Sequence, residues 1–519
     1  MFRITRRHAL AAVGAALLVA GPLTASTFAQ DTVRRGGELV ASIDFQPKSL
    51  DPIFGDADTL DRIAYNALYD TLVYVDDAGV IQPKLAESWE YAEDGLSITM
   101  KLREGVTFHD GTPFNAEAVK FNIDRVANPD TRSNRIQDVL DIASVDVLSE
   151  YSVRLNLARK SAVALPSLAA EGGFMVSPTA VQASGDDFGS NPVGTGPFKF
   201  VDWPGAERLN LVRNENYWAK DEAGESLPYL DKLTIRTVRQ AAVAALELEA
   251  GTIHLASALP IRDAQRLSAA DQFDKLPALL LSQVMVALNT TAEPFNDKRV
   301  RQAVAHAFDR EQLSASIGLG EGLVLPLFVA PAEFAYDQNL TAYGYDPEKS
   351  KALLKEAGID RLSMSLSIIQ REPDVQIGQI MQAQAAAAGV DLTLEVLDRQ
   401  AWLDKVRVER KFDGAMLRAV FPKTDIDKTF TFYFGRGLVT NYSLQEDEFV
   451  FNSLDAARGE LDQAKRKELY SALSSHVLDE SYFSFLFAFP SVDVVNTKVK
   501  NIKQDVNGVW FLEHAWLSE

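Results

Sequence analysis

The sequence predicts a mixed α/β protein built from more than one domain. Three observations carry that expectation. Strand-like and helix-like patterns alternate from end to end. The chain has 519 residues, more than one ordinary hydrophobic core serves. No low-complexity linker divides it, so the domains are expected to be knitted together by more than one crossing of the chain.

In chain order the first feature is a leader. Arg3, Arg6 and Arg7 form a positive segment, Ala9 to Gly21 is apolar, and Thr27-Phe28-Ala29 places small residues ahead of Gln30, the pattern a signal peptidase reads. The apolar run is too short to span a bilayer core, which needs roughly 20 residues. Thr5-Arg6-Arg7-His8-Ala9-Leu10 resembles a twin-arginine export signal, and the weakly hydrophobic Ala/Gly stretch behind it suits that route. Residues 1–29 are read as a signal peptide. There is no Cys anywhere, so lipid attachment, disulfides and thiol chemistry are all excluded. Without residues 1–29, which hold three Arg and no acid, the 52 basic side chains become 49 against 72 acidic ones, shifting the balance from −20 to −23. Such a charge disfavours a nucleic-acid binder, which needs a basic footprint. No later segment holds 18 unbroken apolar residues, so the mature chain is expected to be soluble and exported.

Gly37 to Phe45 alternates, with Leu39, Ala41, Ile43 and Phe45 on one face, and predicts a strand. Glu93-Asp94-Gly95-Leu96 predicts a tight turn, after which Ser97 to Leu102 alternates again. Asn115 caps a predicted helix with Val119, Ile123 and Val126 on one side. Gly194, Gly196 and Pro197 predict a sharp bend where the chain re-enters a sheet. Between Asn296 and Leu313, Val300, Ala303, Val304, Ala307 and Phe308 fall at helical spacing. Asp346-Pro347 starts a helix that Gly358 ends. Ile377 to Ala388 closes at Gly389 and leads into an alternating strand, Val390 to Leu397.

No catalytic constellation emerges. The six His stand apart at positions 8, 109, 254, 306, 476 and 514, without HExxH or helical pairing, so no metal site is predicted. His306 reads as a packed side chain. There is no GxSxG and no P-loop; Gly318-Leu319-Gly320-Glu321-Gly322 lacks the Lys-Ser/Thr ending and reads as a loop. The pair Asp425/Asp427 suits acid–base work, but such pairs are common in acidic proteins. The chain is expected not to be an enzyme and to need no cofactor.

Several phrases in order resemble the family 5 extracellular solute-binding proteins of ABC importers, the peptide, dipeptide and nickel type. They are Ser49-Leu50-Asp51-Pro52, Tyr65 to Val73, PKLAESWEYAEDGLSITMKLREGVTFHDGTPFNAEAVKFNIDR at 83–125, and Gly194 to Phe198. RNENYW at 213–218, RVRQAVAHAFDREQL at 299–313 and YDPEKSKALLKEAG at 345–358 complete the set. The resemblance implies a two-lobed periplasmic binding fold with two crossing hinge segments, near Ala270–Leu288 and Phe487–Val494, and an additional inserted α+β domain. Lobe one would comprise 30–73, 191–279 and 490–519, the inserted domain 74–190, and lobe two 280–489. A solute would sit in the cleft, and hinge closure would bury it.

The resemblance also implies ligand-binding residues. Arg371 matches a position where the dipeptide branch carries an Arg that meets the ligand carboxylate, a task suited to a planar fork. Arg399 falls where that branch often has a cleft Trp, and Trp402 where it has another aromatic. Asp425 belongs to a stretch resembling the family's acidic motif, in which an Asp pairs with the ligand ammonium; here Phe421, Pro422 and Lys423 stand upstream and Ile426 replaces the motif's Pro. Tyr433 and Asn441 border the same region. The implied function is a periplasmic receptor, acting as a monomer, for a di-/oligopeptide or peptide-like solute, delivered to an ABC permease. The departures leave an opine, an anionic amino-acid conjugate, an oligosaccharide or a metal chelate as alternatives. Outside this class stand an exported hydrolase and a chaperone-like receptor.

Overall fold

The computed structural model describes residues 33–519 except 45, 56–60, 278–280, 422–423 and 506. The leader, Pro422 and Lys423 lie outside the described residues.

Alternation along Glu38–Ile43 buries Leu39, Ala41 and Ile43, and this strand is parallel to both its neighbours, Lys232–Thr237 and Leu255–Leu259. The seven-stranded sheet around it runs in the order Phe273–Lys275, Val492–Asn496, Leu255–Leu259, Glu38–Ile43, Lys232–Thr237, Arg208–Arg213, Phe198–Asp202. A second sheet of five strands has the order Val390–Leu397, Leu362–Ile369, Gly414–Phe421, Leu281–Leu288, Phe483–Pro490. Its first three strands are mutually parallel. Leu281–Leu288 is antiparallel to both neighbours and almost wholly apolar. Val284, Val286 and Leu288 enter the core on one face of the sheet, Met285 and Ala287 the core on the other, as a strand covered on both faces requires.

A four-stranded antiparallel sheet, Ala86–Tyr91, Ser97–Leu102, Ser152–Leu157, Ile142–Ser149, has a core of its own. Ile98, Met100 and Leu102 pack there with Val119 and Ile123 of helix Ala116–Ala127, whose Asn115 cap accepts from the Ala118 N–H at 3.1 Å. The first hairpin pairs Tyr91 with Ile98 across a turn in which Gly95 has φ +70° and Asp94 accepts from the Leu96 N–H at 2.9 Å.

The chain passes twice between the two large sheets: from Lys275 to Leu281, and from Pro490 to Val492. Lys275 pairs with Val494 where the first crossing begins, and Leu281 with Pro490 where it ends. The parallel strands of both sheets end at this boundary. Leu259 pairs with Val492, and Phe421 with Leu281. The carboxyl ends at Ile43, Thr237 and Leu259 therefore face the same boundary as those at Ile369, Leu397 and Phe421, the edge at which open α/β sheets bind ligands.

One local expectation needs correction. The periodicity between Asn296 and Leu313 is divided between helices Lys298–His306 and Arg310–Gly318, because Asp309 caps a new helix by accepting from the Gln312 N–H at 2.9 Å. The apolar spacing survives the break because both pieces face one core. Gly194 and Gly196 are required by close approach. A Cβ on Gly196 would lie 2.4 Å from the Leu68 carbonyl carbon and 2.5 Å from the Tyr69 nitrogen, and one on Gly194 2.2 Å from the Leu68 oxygen.

Candidate functional site

A helix begins just beyond each parallel strand of the second sheet: Asp374–Ala387, Arg399–Leu403 and Ile426–Phe434. These turns carry the polar side chains of the boundary.

The first group centres on Asp374, buried at 3% exposure in the first turn of its helix. It accepts from Arg371 Nε at 2.6 Å and from Arg418 Nε at 2.7 Å, so two guanidiniums share one carboxylate and leave a net positive charge. Arg418 also packs over the Phe489 ring, 5.4 Å to the centroid, and Phe489 belongs to the strand that leads into the second crossing. Arg371 is 43% exposed, and among the described residues only its Nε is engaged. Its terminal nitrogens offer a free fork.

The second group is centred on Asp425. It caps helix Ile426–Phe434, accepting from the Asp427 N–H at 2.8 Å, and takes both arms of Arg466, each at 2.6 Å. Burial works against the Arg466 charge, but Asp425 raises its pKa overall. Asp427 is paired with Arg458 at 2.6 Å, so both acids of this motif already hold a cation. The Asp425–Arg466 pair faces a cavity of about 740 Å³ between the four-stranded sheet and the second large sheet, walled also by Trp89, Tyr91, Glu333 and Phe334.

Burial pushes Glu333 up to about 8, with Asp425 adding to the rise and the Ala330 N–H, at 2.6 Å, opposing it. The folded chain therefore keeps a proton that an unfolded Glu, with an ordinary value of 4.5, has lost. Stability is expected to fall as pH rises from about 4.5 to about 8, by at most about 1.4 kcal/mol per pH unit from this residue. Urea midpoints at pH 5 and pH 8 test this: Glu333→Gln should flatten the slope, and an unchanged slope would remove Glu333 as its source.

The remaining residues singled out from sequence fall into two kinds. Arg399 is exposed just past Val390–Leu397, and its charge reaches the Tyr442 hydroxyl. Trp402, Tyr433 and Asn441 point into the protein. Trp402 donates from Nε1 to the Ser367 carbonyl at 3.2 Å and packs near Tyr442. Tyr433 lies in an aromatic cluster with Phe328, 5.3 Å between ring centroids. Asn441 Nδ2 donates to the Gln445 carbonyl at 2.9 Å. The structure thus brings Arg371, Arg399 and Asp425 to one edge and places the other three beneath it.

Sequence reasoning passed over Arg418, Asp374, Arg466 and Glu333. Arg418 had a local signal, a lone charge in the apolar run Gly414–Phe421. Asp374 had only its three-residue spacing from Arg371, and Arg466 and Glu333 had none, because Asp425 lies far from both in the chain.

On the facing side, Arg239 Nη2 follows Lys232–Thr237 and donates to Gln46 Oε1 at 3.0 Å. At the second crossing, the Asp493 carboxyl accepts from the Ala258 N–H at 2.9 Å and from Trp510 Nε1 at 2.7 Å. This fixes Ala258 at φ +53°, a backbone conformation rare outside glycine. Burial pushes Asp493 up to about 6.

Residues 80–440 match the family model for bacterial extracellular solute-binding proteins, family 5, middle region. The glutathione-binding protein GsiB of Salmonella typhimurium is 30% identical over 376 residues, covering 72% of this chain and 72% of GsiB. Among solved structures, the periplasmic binding protein DppA of Helicobacter pylori, in complex with the peptide STSA, superposes with a TM-score of 0.80 at 27% identity, covering 94% of this chain and 99% of DppA. MoaA from A. tumefacien R10, in complex with mannopinic acid, superposes with a TM-score of 0.76 at 26% identity, covering 94% of this chain and 100% of MoaA. These neighbours are two-lobed periplasmic binding proteins with mixed α/β sheets, and this chain shares their fold. Among the described residues, no helix is long and apolar enough to cross a membrane.

Proposed function

This chain belongs to family 5 of the bacterial extracellular solute-binding proteins, and from that premise we propose that it captures a peptide-like solute bearing a carboxylate between its two lobes and delivers it to an ABC permease. It is a solute-binding protein of transport and not an enzyme. The observation that supports the finer reading is the Arg371 fork, open toward solvent and set by Asp374 at the carboxyl ends of the second sheet. A guanidinium so placed binds both oxygens of a carboxylate in parallel.

The lobes are proposed as 30–73, 191–279 and 490–519 for lobe one and 280–489 for lobe two, with 74–190 as an insertion. Export to the periplasm through residues 1–29, by the twin-arginine route and without a lipid anchor, completes the proposal. Arg399, Trp402, Tyr433 and Asn441 are proposed to shape the solute's surroundings, the last three by supporting the edge from below.

A second reading is favoured by one contact. Asp425, the position expected to meet a solute ammonium, is occupied by Arg466. With Arg371, Arg418 and Arg399 nearby, an opine or another anionic amino-acid conjugate fits as well as an ordinary peptide. Native mass spectrometry of the purified chain, followed by titration calorimetry with the recovered solute, glutathione, a tetrapeptide and mannopinic acid, separates these. We expect a solute with a free carboxylate whose amide derivative binds more weakly. Recovery of a neutral sugar would sink the carboxylate reading.

A further inference from the structure

We propose a second binding site, for a small aromatic anion, in a cavity at the end of the first sheet opposite the cleft. The cavity measures about 510 Å³, within the range of roughly 300–1,000 Å³ that small-molecule sites occupy. Its walls come from the strands that lead into the four-stranded sheet, from the segment between Arg208–Arg213 and Lys232–Thr237, and from the C-terminal stretch. That segment enters the first sheet at Lys232, which pairs with Glu38 at the amino end of the central strand. The cleft lies at the carboxyl ends of the same strands, one six-residue strand length away, roughly 20 Å.

The floor is aromatic and rigid. Tyr74 and Phe511 meet edge to face at 5.7 Å between centroids. The Trp218 indole is fixed by donation from Nε1 to Asp70 at 2.9 Å, and Arg103 lies over its ring at 4.3 Å. Lys84 is 5.2 Å from the Phe511 centroid and is paired with Asp70 at 3.1 Å. The inner cations are thus already engaged with rings and with a buried carboxylate.

The mouth is different. Lys220 and Lys503 line it, both are exposed, and neither has an ion-pair partner among the described residues. Of the four cations in the described lining, Lys84 is paired with Asp70 and Arg103 lies 3.8 Å from Glu87, so Lys220 and Lys503 stand open against one lining carboxylate, Glu513. A positive recess on a chain of net charge −20 is a selective feature, because the rest of the surface repels the anions it attracts. A ring filling the floor, stacked among Tyr74, Trp218 and Phe511, would place a carboxylate, sulfonate or phosphate between the two open ammonium groups.

The test uses the intact purified chain and 1-anilinonaphthalene-8-sulfonate as the probe, read by fluorescence titration, with neutral N-phenyl-1-naphthylamine as its uncharged counterpart. We expect saturable one-site binding of the sulfonate, weakened at least ten-fold in a K220E/K503E double variant, while that variant keeps its affinity for the cleft solute. The cleft variant Arg371→Gln should retain probe binding. No saturable binding, equal affinity in K220E/K503E, or loss of the probe in Arg371→Gln would each overturn the site. Equally tight binding of the neutral compound would overturn its anion selectivity.

Discussion

Replacing Arg466 by Met is expected to destabilise the folded chain by about 3–5 kcal/mol, a large part of the roughly 5–15 kcal/mol that holds a typical domain together. Both partners of the pair are nearly buried, with side-chain exposures of 6% for Arg466 and 7% for Asp425, and the two contacts are bidentate. Taking two charges out of water costs several kcal/mol each, and only their mutual attraction offsets it. Met fills much of the volume of the Arg stem but leaves the Asp425 carboxylate orphaned beside the Glu333 carboxyl. The source of the loss can be isolated. If it is the orphaned charge, the double variant Asp425→Leu/Arg466→Met should recover most of the lost stability in urea denaturation. A double variant as unstable as Arg466→Met would instead point to lost packing, since Arg466 also lies over the Phe334 and Tyr470 rings. The same pair of proteins tests the role expected of Asp425 from sequence. If Asp425 serves a solute ammonium, freeing it from Arg466 should tighten binding of an amino-bearing solute.

The elements legible in the sequence are those set by neighbours a few residues apart. The turn at Glu93 to Leu96 needs a glycine at positive φ and an Asp two residues before the N–H it accepts. Helix Pro347–Glu356 announces itself by Asp346 at the cap and Pro347 in the first turn, and Val390–Leu397 by its alternation after Gly389. Even the error between Asn296 and Leu313 is local. Apolar spacing runs through both helices, and the cap at Asp309 is a single side chain within that pattern.

The site was legible only in part, because its partners are set by packing. Arg371 and Asp374 lie three residues apart, but Arg418 reaches Asp374 from 44 residues away through the pairing of Leu362–Ile369 with Gly414–Phe421. Arg466 reaches Asp425 across 41 residues because helix Gln463–Glu480 packs against helix Ile426–Phe434, with Tyr470 on Phe430. A sequence shows which charges exist. Register and helix packing decide which are neutralised, and the two acids of the motif at 425–427 proved to be engaged by arginines that no local pattern joins to them.

That division between engaged and open charges leads to the expectation for the cleft. Arg371→Gln should weaken binding of a carboxylate-bearing solute about 10- to 100-fold, the loss of a charge-assisted hydrogen-bonded pair worth roughly 1.5–3 kcal/mol. The fold should tolerate the change, because Arg371 is half-exposed and Arg418 stays on Asp374. Arg418→Gln is the less informative variant, since it strips the more buried cation from a buried carboxylate and mixes stability with affinity. Arg371→Lys keeps the charge but loses the fork, so it should fall between the parent and Arg371→Gln if geometry matters as well as charge. The decisive measurement is a cycle of two proteins against two solutes, the natural solute and its amide, by titration calorimetry. When Arg371 grips the carboxylate, amidation costs the parent chain far more than it costs Arg371→Gln, and the difference is the coupling between them. A coupling of zero would mean that the two groups do not meet. Arg371 would then serve only to neutralise Asp374, and the solute's anchor would have to be sought elsewhere along the same edge, with Arg399 the first position to substitute.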